Sequence, residues 1–223
     1  MRKVFLIAIA AAAWAGLVLE LYMTLDDAVS SGGSIRYALI NYLSFFTILS
    51  NFMIAALCTV AALDSRAPSH AFRQTFAAAL TLYIVIVAAV DAAILKSGAH
   101  AVGIEHLSDL LLHKIVPAAY AIYWVGFEPK DKLAWGDPLL WQGFPIVYMM
   151  YTMIRGELTH YYPYPFLNAD HIGTDAVWLN GLYLLGFLLA ISYAILGIGK
   201  AAALWHASAE GFLNRPSSPR LRA

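Results

Sequence analysis

The sequence predicts an all-α polytopic membrane protein, a bundle of six transmembrane helices with both termini cytoplasmic, and three observations carry that prediction. Of its 223 residues, 61% are hydrophobic and only 13% charged, which is too apolar for an ordinary soluble domain and right for a membrane bundle. Six apolar stretches approach the roughly 20 residues that a helix needs to cross about 30 Å of hydrocarbon. The basic residues are also lopsided. With both termini inside, Arg2, Lys3, Arg66, Arg73, Lys130, Lys132, Lys200, Arg215, Arg220 and Arg222 face the cytoplasm, against Arg36, Lys96 and Arg155 outside. That ten-to-three split follows the positive-inside rule, with Lys114 left within a span.

The spans are expected at 4–25, 37–63, 72–95, 107–127, 139–154 and 176–198, inside a transmembrane domain of residues 1–206. The first follows Met1-Arg2-Lys3 and resembles a secretory signal, but its apolar run continues to Leu25 without a polar cleavage region, so it reads as a span. The second holds Cys58, the sole cysteine, which rules out an intrachain disulfide and leaves a small packing residue. Short loops at 26–36, 64–71 and 96–106 and the charged turn at 128–132 place successive helices side by side and antiparallel. The fifth span is the shortest. After it, residues 156–175 form a long outer connection containing Tyr161-Tyr162-Pro163-Tyr164-Pro165-Phe166. Its aromatics suit the headgroup level and its prolines deny it a regular helix, so it serves as a cavity cap or an interfacial anchor. Residues 207–223, ending in Asn214-Arg215-Pro216-Ser217-Ser218-Pro219-Arg220, have the composition of a disordered cytoplasmic tail. No nucleic-acid surface is evident, and no internal repeat of the transporter kind.

Two spans carry polar groups that hydrocarbon disfavours. In the second, Asn41, Ser44, Thr47 or Ile48, and Asn51 follow three- and four-residue steps along one helical face. In the fourth, His106, Asp109 and His113 share a face, with Asp109 one turn from His113 and able to hold its ring through one nitrogen. Such groups look into the bundle and mark a site or pathway, or serve as hydrogen-bonded glue between helices. At 1.5 Å per residue, Thr47 and His113 each lie about 9 Å below the outer boundary, so they can be level. A hydroxyl and an imidazole suffice for a nucleophile and its base. Asn51 or Ser50, one turn from Thr47, are the available oxyanion donors. Asp91 and Lys114 are close in depth and suit an ion pair, and Tyr148, Tyr151, Thr152 and Arg155 share a face rising outward. Arg155 and Lys114 are the cations able to receive a carboxylate, though snorkelling to the interface is the usual role of such an arginine. Glu20, Asn180, His160 and His171 are supporting or interfacial groups.

The phrases around Thr47 and His113, with Arg155-Gly156 and Tyr162-Pro163-Tyr164-Pro165-Phe166, resemble the bacterial branch of the androgen-induced-protein family of six-pass membrane proteins. The resemblance spans most of the chain and is strongest from Arg-Gly to Tyr-Pro-Tyr-Pro-Phe. Eukaryotic members hydrolyse fatty acid esters of hydroxy fatty acids with an intramembrane threonine and histidine. The resemblance therefore implies Thr47 as nucleophile and His113 as base, a lipid or fatty-acyl ester as substrate, and a place in the cell membrane, the bacterial inner membrane.

The sequence thus leads to an intramembrane threonine-type lipid ester hydrolase that needs no metal or cofactor. Two other classes remain. A transporter or proton relay would use Asp91, Asp109, His113 and Lys114 as a titrating path, and a non-catalytic lipid-binding protein would use the same polar groups only as glue. Haem binding is remoter, because axial ligation needs facing histidines and only His113 is clearly intramembrane.

Overall fold

The computed structural model describes residues 1–63, 71–99 and 101–213, and every regular element among them is a helix. In chain order these are α1 (Arg2–Ser30), α2 (Ile35–Tyr42), α3 (Phe46–Leu63), α4 (Ala71–Val90), α5 (Gly103–Leu110), α6 (Val116–Phe127), α7 (Asp137–Trp141), α8 (Gly143–Thr159), α9 (Ala169–Ile172) and α10 (Thr174–Leu213). A π turn, Asp91–Leu95, extends α4, and a second, Leu111–Ile115, joins α5 to α6. Arg66 and the rest of the 64–70 loop lie outside the described residues, as do 214–223 with Arg215, Arg220 and Arg222; α10 itself runs on to Leu213.

Among the described residues, five stretches are long and apolar enough to cross a membrane: Arg2–Ser30, Phe46–Leu63, Arg73–Leu95, Gly103–Phe127 and Thr174–Leu204. The expected fifth span falls on α7 and α8. With 17 residues, α8 is about 26 Å long at 1.5 Å per residue, short of the hydrocarbon thickness unless α7 continues it.

In hydrocarbon, helices gain little by hiding apolar surface from lipid tails, so close packing of small side chains and internal hydrogen bonds hold them together. The α1–α3 contact is of this kind: Ala10, Ala13 and Gly16 on α1 are buried, as are Ala55, Cys58, Ala61 and Ala62 on α3. Beside this pair, α4 packs against α3, α6 and α10, while α5 and α6 lean on α1. Larger side chains, among them Tyr120, Tyr123 and Trp124 on α6 and Leu80, Leu82 and Ile84 on α4, fill the centre. One end is sealed by Glu128, buried beneath Tyr123 Oη at 2.7 Å and Arg73 Nη2 at 3.0 Å.

The second expected span is not one helix. It breaks at Leu43-Ser44-Phe45, between α2 and α3. A break in hydrocarbon is tolerated only if protein satisfies the freed backbone groups, and here α8 does so. Tyr148 Oη donates to Ser44 O at 2.8 Å, and Tyr151 Oη pairs with Ser44 Oγ at 2.8 Å while that hydroxyl bonds back to Ile40 O at 2.6 Å.

Candidate active site

The break puts Thr47 in the first turn of α3, where backbone N–H groups have no intrahelical acceptor. Thr47 N–H points instead to Tyr164 Oη at 3.4 Å. The positive end of the α3 dipole therefore lies at the residue whose hydroxyl is the candidate nucleophile.

His113 also sits on an irregularity, the π turn Leu111–Ile115. Such turns recur at functional sites, and this one has a geometric effect. At about 100° per residue in an α-helix, Lys114 would stand well round the axis from Asp109. The wider turn lets His113 and Lys114 both face Asp109: His113 Nδ1 lies 3.0 Å from Oδ1 and Lys114 Nζ lies 2.7 Å from Oδ2. The His113 contact is off the axis of a straight hydrogen bond, so it acts through charge and proximity. Ser97 Oγ adds 2.6 Å to Asp109 Oδ1 and also bonds Asp91 Oδ1. The ion pair expected between Asp91 and Lys114 is thus replaced by Lys114 on Asp109, with Asp91 held by the hydroxyl and the N–H of Ser97. Gly98 permits this crowding, since a Cβ there would meet Asp109 Oδ2 at 2.1 Å.

Across the bundle, Thr47 Oγ1 and His113 Nε2 are 3.5 Å apart. That is long for a hydrogen bond, and catalytic contacts in empty sites commonly tighten when substrate binds. With Nδ1 turned to Asp109, Nε2 is the nitrogen left to take a proton. Asn51 fixes the spacing of the pair: its amide nitrogen donates to Thr47 O at 2.9 Å and to Leu112 O at 3.2 Å, tying the start of α3 to the π turn. Both of its N–H bonds are thereby engaged. Ser50 Oγ is buried with no hydrogen-bond partner among the described residues and lines none of the described cavities. Asn51 therefore has no amide hydrogen left for an oxyanion at Thr47.

Tyr164, from the segment expected to serve as a cavity cap or an interfacial anchor, is the group that arrives there. Its Oη lies 3.5 Å from Thr47 Oγ1, and burial holds the phenol above its ordinary value, so the hydroxyl keeps its proton to donate. The loop is fastened at several points. Tyr162 covers Gly156, where a Cβ would stand 1.9 Å from its ring, and Asn180 Nδ2 on α10 donates to Phe166 O at 2.9 Å. The Tyr164 ring packs edge-on to Phe45 and stacks on Phe166. The co-occurrence of Arg-Gly with Tyr-Pro-Tyr-Pro-Phe thus has a packing reason.

Arg155 is buried, donates to Asn41 Oδ1 and lies 4.5 Å over the Tyr161 ring. It lines none of the described cavities, and Lys114 is engaged by Asp109. Lys114 is therefore committed to a carboxylate, whereas Arg155 has a neutral amide and a ring as partners and keeps Nη1 buried without a hydrogen-bond partner among the described residues. Glu20 accepts from Ser108 Oγ at 2.9 Å, and His160 pairs with Asp170 at 3.0 Å. Carboxylate oxygens of Asp91 and Asp109 and a ring nitrogen of His113 lie within 4.8 Å of one another, so these three residues are where a cation would find ligands.

Thr47 stands on a wall between two cavities. A polar one of about 360 Å³ is lined by Glu20, Ser97, Glu105, Asp109 and His113, with Phe45 and Pro163. A narrow apolar one of about 60 Å³ is lined by Phe46, Ile86, Val87, Val90, Tyr148 and Leu188 among others. Thr47, Leu95 and Tyr164 belong to both. The apolar cavity shares Pro145, Met149, Leu184 and Leu188 with a cleft of about 240 Å³ between α8 and α10.

Comparison of the chain with protein-family models, with curated proteins and with solved structures finds no match in any of the three.

Proposed function

We propose that this protein is a six-pass intramembrane hydrolase of lipid esters in which Thr47 is the nucleophile and His113 its base. The observation that carries the reading is the Thr47 Oγ1 to His113 Nε2 approach of 3.5 Å, backed by Asp109 and placed where two cavities of opposite character meet. The family resemblance in the sequence points to the same two residues. An alkyl hydroxyl is a poor nucleophile until a base removes its proton.

In the mechanism, His113 Nε2 takes the Thr47 Oγ1 proton as that oxygen bonds the ester carbonyl carbon. The carbonyl oxygen becomes an oxyanion, facing the Tyr164 hydroxyl at the N-terminal end of α3. Collapse breaks the bond to the alcohol oxygen, which leaves with the proton from His113. Water, deprotonated by the same nitrogen, then attacks the acyl-threonine ester and releases the acid. Asp109 orients the ring and supports its positive charge, while Lys114 and Ser97 hold Asp109.

The test is hydrolysis of a long-chain acyl ester by purified protein. Thr47→Ala and His113→Ala should each lower kcat by at least about 10³-fold, with the double variant little worse, because members of one catalytic unit fail together. Asp109→Asn should cost less. Wild-type rates in Thr47→Ala of equal purity would remove the assignment.

One observation favours a second reading: Ser97 links Asp91 to Asp109, and His113 follows, a continuous polar chain toward Thr47. In a proton relay this chain would carry flux. Proton movement in proteoliposomes without ester cleavage would select it.

A further inference from the structure

The hydrolase reading leaves open how a substrate lies across the site, and the cavities supply an orientation. We propose that the acyl chain of the ester occupies the apolar cavity behind Thr47, reaching it from the bilayer through the cleft between α8 and α10, while the alcohol half lies in the polar cavity on the other side. This inference rests on Thr47 acting as the nucleophile.

The argument starts from the shared wall. An ester whose carbonyl carbon meets Thr47 Oγ1 must send its two halves in different directions, and Thr47, Leu95 and Tyr164 separate two cavities that Thr47 lines. One of these is bounded by aliphatic and aromatic side chains, with Thr47 and the two tyrosines as its only polar-tipped residues. Its lining suits the first carbons of a hydrocarbon chain at no desolvation cost, the rest of the chain passing on into the cleft, whereas a polar alcohol would strand its hydroxyls. The other adds three carboxylates, an imidazole and a serine to Phe45, Ile48, Leu95, Leu112 and Pro163, so an alcohol finds partners there that the first cavity lacks.

Continuity with the bilayer comes from the cleft. Its walls are apolar residues of α8 and α10, and several of them, including Ile146, Met150 and Leu182, are strongly exposed. Gly181 keeps it open. A Cβ added there would come within 3.0 Å of Met149 Cε, the tip of a side chain that lines both the cleft and the apolar cavity. A larger residue at 181 therefore narrows the passage without touching Thr47, His113 or Tyr164.

The experiment uses the full-length protein in lipid vesicles and two esters of one alcohol, p-nitrophenyl butyrate and p-nitrophenyl palmitate. Gly181→Leu should lower kcat/KM for the palmitate at least about tenfold and leave the butyrate within about threefold, because only the long chain extends into the cleft. Met149→Ala, added to Gly181→Leu, should restore palmitate cleavage by returning the lost space. Equal effects on the two esters, in either direction, or no effect on either, would overturn the orientation while leaving the hydrolase reading in place. Failure of the wild type to cleave either ester would remove that reading, and the orientation with it.

Discussion

Among the described residues, the groups brought to the Thr47 hydroxyl are the His113 ring and the Tyr164 hydroxyl. Removing the latter while keeping its ring isolates what it does. Tyr164→Phe should lower kcat by about 10²-fold, the usual consequence of losing one oxyanion donor, with KM changed by no more than about threefold. The fold should lose only about 1 kcal/mol, the net worth of one hydrogen bond. Steady-state kinetics beside a melting curve in detergent will separate these effects, and a loss confined to KM would refute the donor role. Spacing alone left Thr47 or Ile48 open and the family resemblance selected Thr47, while Asp109 and His113 were legible because polar residues at helical spacing inside apolar runs are conspicuous. Tyr164 was not. It lies 117 residues from Thr47 in a segment whose aromatic composition has an ordinary explanation at the headgroup level, and only tertiary folding brings the two together.

The elements that matter most are the irregular ones. A break at 43–45 frees the first turn of α3, and π turns begin at Asp91 and Leu111. The apolar runs were readable as helices, but their interruptions were not, because no proline or glycine marks residues 43–45 or 111–115. The break is compensated by Tyr148 and Tyr151 of α8, and a local reading does not contain those partners. Closeness in depth suits Lys114 to Asp91, and a regular helix would turn it away from Asp109, so the π turn is what changes its partner. The outer loop offers a test at this scale. Gly156→Ala should gain up to about 1 kcal/mol of helix propensity. It should lose more to the collision with Tyr162, since overpacking commonly costs about 1–3 kcal/mol. We expect a lower melting temperature and a lower kcat, as the loop carries Tyr164 away from Thr47. Gly156→Ala with Tyr162→Ala should be no worse than Tyr162→Ala alone, and an additive loss would show that the contact is not the cause.

For the whole molecule, orientation follows from the basic residues, with Lys130, Lys132 and Lys200 expected on the cytoplasmic side and the loop that bears Tyr164 outside. Single cysteines at Lys132 and His171, both exposed positions, in a Cys58→Ala background will report this with an impermeant maleimide in intact cells. Labelling should favour position 171, and preferential labelling at 132 would invert the protein. This also tests α8 as a span: without its crossing, the two positions, which lie on either side of it, would label alike. An odd number of crossings and an even number differ by this one helix, whose 17 residues make it the element that composition alone decides least.

The start of α3 at Thr47 has a consequence for how such a site persists when empty. A lysine or arginine aimed at the future oxyanion would be a buried cation awaiting its counter-ion, and an unpaired charge in a low-dielectric interior costs several kcal/mol. Here the Lys114 ammonium is paired with Asp109, and what meets the nucleophile as a donor is a phenol beside the dipole of a helix end. These are dipoles with no net charge. They can wait unoccupied in hydrocarbon at modest cost, and they strengthen against a negative charge only once the reaction has made one.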